Sequence, residues 1–401
     1  MNCDGVSSNG CEADTNTDPN HCGSCAACSV PNATAACNGG TCAIAQCNSG
    51  YGDCNNNATD GCETNVLGTD ASNCGACGHG CLGGTCVAGQ CQPVALATAQ
   101  PYPGQIVVNN GVVYWVNQGP PTRTVAGAIM SIHSDGTGQQ TLSSHYEVDA
   151  LSNDATTIYF TGYDNDAFGY KVFKVLMTGG TTTTLVKSRS YAAKGISNDA
   201  AYVYWSEWEG GTVLQASLVD GSSLATLETG QAYPYAIAMT AWGLYWVTNP
   251  ISGTTGGSIW HANEDGTGAA QFVAPATSAL VSGFALDSAG NLFYQTYSQG
   301  IWRVAANGSG NAQISTGGFN LYVNMVTDTA NVYWLGDGSS NPPDTIYCQG
   351  LNGTHPRTND ILLANQSVLG GVAVDASYVY FTTSGSSANN YLDGAVYRVA
   401  K

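Results

Sequence analysis

One phrase returns seven times along this chain, and it narrows the possible folds more than any other feature. In its fullest form it reads Asp199-Ala-Ala-Tyr-Val-Tyr-Trp205, then Gly211-Thr-Val-Leu-Gln-Ala-Ser217, then Asp220-Gly221. Its aromatic centre recurs as Tyr114-Trp115, Tyr159-Phe160, Tyr204-Trp205, Tyr245-Trp246, Phe293-Tyr294, Tyr333-Trp334 and Tyr380-Phe381. Repeats at a period of about 40–45 residues, each too small to bury its own apolar faces, stack into a toroid of four-stranded blades. The expected fold class is therefore all-β: a seven-bladed β-propeller.

Turn chemistry places four strands in each repeat. An inner strand such as Phe284-Ala-Leu286 or Val372-Ala-Val374 ends at a short polar turn, begun by Asp in five repeats (Asp154, Asp199, Asp287, Asp328, Asp375). The aromatic strand follows, then a loop of variable length and a third strand such as Val172-Phe-Lys-Val175 or Ile301-Trp-Arg-Val304. Tight turns at Asp135-Gly136, Asp220-Gly221, Asp265-Gly266, Asn307-Gly308 and Asn352-Gly353 tolerate positive φ and fold a fourth strand back beside the third. The seventh repeat ends at Lys401 without a fourth strand, while Pro93-Val-Ala-Leu-Ala97 has the composition of one and no blade of its own. Residues 93–97 are expected to close the last blade, which removes an exposed edge. Two domains follow: residues 1–91, rich in cysteine, and 92–401, the propeller.

The Tyr-Trp strand, the Ile or Val strand and the Asp-Gly turn over residues 93–401 resemble the YWTD type of β-propeller. That resemblance implies a module that binds other proteins or peptides. The chain departs from it in having seven repeats where six are typical, and in the residues after Tyr-Trp, which are Val-Asn, Ser-Glu and Val-Thr in place of Thr-Asp.

Fifteen of the sixteen cysteines lie between Cys3 and Cys91; the other is Cys348. That stretch is poor in large apolar residues, so disulfides are expected to stand in for a core, and they imply an oxidising, extracellular or periplasmic setting. It is a tandem pair: Asn2-Cys-Asp-Gly-Val-Ser-Ser-Asn-Gly-Cys-Glu12 aligns with Asp53-Cys-Asn-Asn-Asn-Ala-Thr-Asp-Gly-Cys-Glu63, and each copy closes on a Gly-Gly-Thr-Cys phrase, within Cys37–Cys47 and Cys81–Cys91. The pattern resembles cysteine-rich repeats near the N-termini of secreted bacterial proteins, which implies secretion and no particular activity. Eight cysteines in the first copy can close internally, and seven in the second leave one over. Either Cys348 pairs with it or neither is bridged. Zinc knuckles at Cys22-x-x-Cys25-x-x-Cys28 and Cys74-x-x-Cys77 compete poorly with disulfides in such a setting. Calcium is the better cofactor candidate: Asp53, Asn55, Asn57, Asp60 and Glu63 offer hard oxygen atoms at near-alternate positions. Against it stand Ala58 where an EF-hand loop has Gly, an early Glu63, and the competing reading that these side chains make Asx turns.

Ten basic against twenty-eight acidic residues give a net charge of −18, which argues against nucleic acid or an anionic membrane as partner. No apolar run is long enough for a membrane span, and Met1 leads straight into Asn2-Cys3-Asp4, which reads as a trimmed N-terminus with an added Met. The chain is expected to be secreted or at the cell surface.

Loop lengths choose a functional face. First-to-second and third-to-fourth turns are minimal, whereas second-to-third loops and blade crossings vary, and binding residues favour such loops on a rigid scaffold. The crossings carry Tyr102, Tyr146, Tyr191, Tyr233 and Tyr322; the loops carry Asp164, Asp166, Glu207 and Trp208, with Glu147 beside Tyr146. These are the candidate ligand-binding residues, for an extracellular protein, peptide or glycan, although each Tyr could equally be a wedge under its own crossing. Two alternatives are carried. One is self-association as a surface structural protein; the other is a metal-dependent lyase or hydrolase centred on His145-Tyr-Glu147-Val-Asp149, which lacks a second convergent histidine.

Overall fold

The computed structural model describes residues 2, 3, 8, 13–120, 125–164, 169–249, 256–274, 279–297, 300–316, 325–337, 344–354, 361–366 and 369–401. The chain divides into two compact units, residues 1–94 and 95–399.

The larger unit is a seven-bladed propeller of four-stranded antiparallel sheets. Its inner strands are Pro103–Asn109, Glu147–Asn153, Ala193–Asn198, Pro234–Thr240, Val281–Leu286, Met325–Thr327 and Leu369–Val374, in blades 1 to 7. Six blades are built from four consecutive strands; the seventh pairs Val94–Gln100 with Gly394–Ala400, so the ring closes with the segment expected from sequence.

The aromatic dipeptide locks neighbouring blades together because successive side chains of a strand point to opposite faces. Trp205 packs among Tyr159, Val172 and Leu185 of blade 2, while Tyr204 packs with Ile237, Leu244 and Trp246 of blade 4. Tyr245, beside Trp246, in turn meets Val281, Leu292 and Tyr294 of blade 5. Eleven of the twelve largest fully buried side chains come from these dipeptides, so they are core residues.

The turn aspartate explains why the phrase begins with Asp. In blade 3, Asp199 Oδ1 accepts the Ala201 and Tyr202 N–H groups at 2.6 and 2.7 Å, and Oδ2 accepts the Tyr204 hydroxyl at 2.7 Å. Asp154 with Tyr159, Asp328 with Tyr333 and Asp375 with Tyr380 repeat the arrangement. Burial, reinforced by the neighbouring carboxylate, holds the Tyr204 hydroxyl well above its usual range. Burial also pushes Asp154 and Asp328 up, but the backbone N–H groups and side-chain donors around them outweigh it, and both carboxyls end below the ordinary 3.8. A depressed folded-state pKa adds stability above the unfolded value that is lost as pH falls through the folded one. The propeller's melting temperature should therefore decline as pH drops below about 4, and Asp154→Asn or Asp328→Asn should flatten that decline in a calorimetric pH series.

Antiparallel pairing puts both kinds of minimal turn at one end of the ring, where Ser134 N donates to Gly111 O and Leu218 N to Ala201 O. The other end carries the long loops and crossings, with Gln118 N on Tyr102 O, Trp208 N on Ala192 O and Asn249 N on Ala232 O.

Among the described residues, seven disulfides hold the smaller unit: Cys3–Cys25, Cys22–Cys37, Cys28–Cys42, Cys47–Cys62, Cys54–Cys77, Cys74–Cys86 and Cys81–Cys91. Two sequence expectations change. The first copy does not close on itself: Cys47 reaches Cys62 of the second, and Gly61-Cys62 docks on the first, Cys62 N donating to Pro31 O and Asn32 Nδ2 to Cys62 O. The two copies also align one cysteine later than their Gly-Gly-Thr-Cys phrases suggest. The hairpin turn between Cys37 and Cys42 matches that between Cys86 and Cys91, and Gly23 and Gly75, both at positive φ, lie so close to Gly40 O and Gly89 O that a Cβ would clash. In this register Cys47 has no counterpart in the second copy. Cys11, outside the described residues, corresponds by sequence to Cys62. Cys348 is buried in blade 6 and is in no disulfide.

Candidate functional site

The inner strands share one irregularity. In all six whose first residues are described, the register with the aromatic strand slips just inside the long-loop face: between Pro103 and Ile106, Val148 and Leu151, Ala193 and Gly195, Pro234 and Ile237, Val281 and Gly283, and Leu369 and Gly371. A bulge adds a residue without a partner and turns side chains out of the regular alternation. Here the residues within the slips, among them Gln105, Asp149, Lys194, Tyr235, Ser282 and Gly370, line the central channel.

The channel has a volume of about 460 Å³ and reaches the long-loop face, where Gln118 and Trp208 are among its lining residues. Its mouth is polar. Lys194 Nζ donates to Asp149 Oδ1 at 2.6 Å, with the Asp149 side chain 7% exposed and that of Lys194 38% exposed. Burial works against the Lys194 charge, but the carboxylates of Asp149 and, further off, Glu147 raise its pKa above the ordinary value. Gln105 Oε1 accepts Leu151 N at 2.8 Å, and the Tyr235 hydroxyl donates to Val281 O. Two buried oxygen atoms here have no partner among the described residues: Asp149 Oδ2 and Ser282 Oγ. Deeper along the strands the wall turns apolar, with Ile106, Ile196, Ile237, Phe284, Val326 and Val372. No histidine lies among the lining residues.

Of the residues singled out from sequence, Trp208 lines the channel itself. Its ring meets Tyr233 edge-on at 5.5 Å. Tyr102 packs edge-on against Tyr391 at 4.9 Å, and Tyr146 lies 6.0 Å from Tyr163. Tyr191 is 42% exposed and covers Gly210. Of the four described crossing tyrosines, Tyr146 thus lies against the end of the blade 2 aromatic strand, Thr157–Asp164, whereas Tyr102, Tyr191 and Tyr233 rest on second-to-third loops. Tyr102 and Tyr233 do so with φ of 55° and 50°, a region that costs a bulky residue about 1–2 kcal/mol. Backbone strain of this kind concentrates at binding sites. Glu207 is buried and engaged internally: Arg189 grips both its oxygens, at 2.5 and 3.0 Å, and the Thr212 hydroxyl donates to Oε2 at 3.0 Å. Glu147 opens the blade 2 inner strand, half-buried opposite Tyr163. Asp164 ends the blade 2 aromatic strand, while Tyr322 and Asp166 lie outside the described residues. Sequence reading missed Gln105, Lys194 and Ser282, and met Asp149 only through His145. The His145 ring itself, at the end of the blade 1 outer strand, stacks on Phe173 of blade 2 at 4.2 Å, between the two blades.

The likeness to solved structures is one of fold alone. A streptogramin B lyase structure aligns with 77% of this chain and 97% of its own, at 14% identity and a TM-score of 0.57. A catalytically inactive virginiamycin B lyase from Staphylococcus aureus with quinupristin covers 77% and 99%, at 15% and 0.57. A nidogen/laminin complex matches 57% of this chain and 88% of its own, at 15% identity and 0.46. Comparison with protein families and with curated proteins gives no match.

In the smaller unit, the five oxygen-bearing residues proposed for calcium form turns. Asp53 Oδ1 and Asn55 Oδ1 both accept Asn57 N, Asn57 Oδ1 accepts the Thr59 N–H and hydroxyl, Asn55 Nδ2 donates to Asp60 Oδ2, and Glu63 Oε1 accepts Cys54 N. Among the described residues, the groups of three metal-type ligand atoms within 4.8 Å of one another are Cys22, Cys28, Cys42 and Cys74, Cys81, Cys91. All six sulfurs belong to disulfides, which corrects the zinc-knuckle alternative.

Proposed function

We propose that this chain is a secreted, non-catalytic binding module that recognises a protein, peptide or saccharide at the long-loop face of its propeller. The observation that carries the reading is the repeated bulge: six inner strands forgo a regular ladder at the same depth, and the residues so redirected converge on one cavity. Backbone strain at the crossing residues Tyr102 and Tyr233, the latter packed on the channel-lining Trp208, adds support. Seven disulfides, together with the absence of any helix long and apolar enough to cross a membrane among the described residues, support action in an oxidising space outside the cell.

Peptide and glycan arrays probed with the full chain test this. Buried aromatic anchors typically carry 2 kcal/mol or more of binding energy, so hits should weaken roughly 30-fold or more in Trp208→Ala and Tyr233→Ala. Hits that survive both substitutions, or no hits on either array, would count against it.

A further inference from the structure

The polar mouth of the channel has a donor and an acceptor held side by side above an apolar shaft, and that pattern selects a chemical class. Lys194 gives one of its three protons to Asp149 Oδ1 at 2.6 Å. The other carboxylate oxygen of Asp149 is shielded from solvent and has no donor among the described residues, a costly state for a buried charge. Asp149 lines the cavity, and the soft terminal torsion of an aspartate lets either oxygen turn toward it.

In an extended peptide the N–H and C=O of a single residue point to the same side, as they do when two antiparallel strands exchange a pair of hydrogen bonds. A backbone N–H on Asp149 Oδ2 and the same residue's C=O on Lys194 Nζ would satisfy both groups at once. The side chain of that residue stands perpendicular to those bonds. With the bonds running sideways to the channel wall, it points along the channel axis toward Ile196, Ile237 and Phe284. Resting on the loop-face reading, we propose that the channel mouth binds an extended peptide segment, gripping one residue's backbone between Asp149 and Lys194 and taking its large apolar side chain into the shaft. The chain's net charge of −18 favours a neutral or basic segment. A saccharide fits this set less well, because the shaft below the mouth is largely aliphatic and offers few partners for ring hydroxyls.

The test is selection of a random displayed heptapeptide library on the full oxidised chain, beside a glycan array. Selected peptides should share one Leu, Ile, Met or Phe position and few acidic residues. Their affinity should fall roughly 10- to 100-fold in Lys194→Met, the size expected for losing a charged hydrogen bond. It should fall similarly in Ala236→Phe, which narrows the channel. Asp149→Asn, which keeps the shape of the side chain, provides a second variant if either of the others fails to fold by near-ultraviolet circular dichroism. Bound peptide should also shield Lys194 from acetylation. Peptides that bind all three variants as well as the parent chain would overturn the proposal. Glycans bound in place of peptides, and lost in Ala236→Phe, would overturn the peptide class while leaving the loop-face reading intact. If no ligand of either kind responds to channel or rim substitutions, both fall.

Discussion

A chain that begins at Pro101 should fail to hold its ring, whereas one that begins at Gln92 should melt like the propeller of the full protein. The difference is the strand Val94–Gln100, which supplies the outer edge of blade 7. Within it Leu96 and Ala97 are buried in the cluster that contains Trp115, Ile132, Tyr380 and Val396, and so tie blade 7 to blade 1. Without the strand, Gly394–Ala400 presents an unpaired backbone edge, a template for pairing with other chains. The expected outcome is a much lower melting temperature with concentration-dependent association by light scattering. In the full chain, Leu96→Ala should cost about 2–5 kcal/mol through the cavity it leaves. Equal melting of the two truncated forms would show that the ring does not depend on this strand.

Reduction should unfold the smaller unit and leave the propeller standing. The buried apolar residues of residues 13–91, apart from its cysteines, are Ala13, Val30 and Val66, far too few to offset the entropy of ordering the chain. Its seven disulfides close loops with sequence separations of 10 to 23 residues, each contributing about 2–4 kcal/mol by constraining the unfolded state. The propeller holds one cysteine, Cys348, buried and in no disulfide, with a core built from the Tyr-Trp dipeptides. Limited proteolysis under a non-thiol reductant should therefore cut throughout residues 13–91 while the propeller persists as a resistant fragment. A smaller unit that stays resistant would mean that its packing has been undervalued; a propeller that falls apart with it would mean the two fold as one.

The architecture was legible because its determinants are local and repeated. Val-Tyr-Trp marks a strand buried on both faces, Asp five residues before Tyr marks the turn that caps it, and Asp-Gly marks the next reversal. The fourth strand that blade 7 lacks at its C-terminal end is Val94–Gln100, a segment of strand composition with no blade of its own. The site was legible only in part. Crossing tyrosines could be found from position, although none of the four described ones is among the residues that line the channel. Lys194, Gln105 and Ser282 could not, because what aims them into the channel is a register slip, and a single extra residue in an inner strand leaves no mark in apolar alternation this short. Glu207 shows the reverse: in sequence it is an acid in a variable loop, and only the fold brings Arg189 against it. The disulfide register failed for a related reason. The phrase Gly-Gly-Thr-Cys draws the eye into matching Cys42 with Cys86, whereas the turn geometry matches Cys42 with Cys91, and that shift is what sends Cys47 across to Cys62.

The claim on which the functional account turns is the choice of face. The opposite, short-turn face has a groove of its own between blades 3 and 4, lined by Asp199, Met239, Trp242 and Glu264, so it offers a real competitor. Hydrogen–deuterium exchange on the full chain, with and without a saturating array-selected ligand, decides between them. Protection should appear in the segments that open the inner strands, residues 102–105, 146–149, 191–195 and 233–236. Protection confined to residues 198–201, 239–243 and 263–264 would place the ligand on the other face and contradict the account.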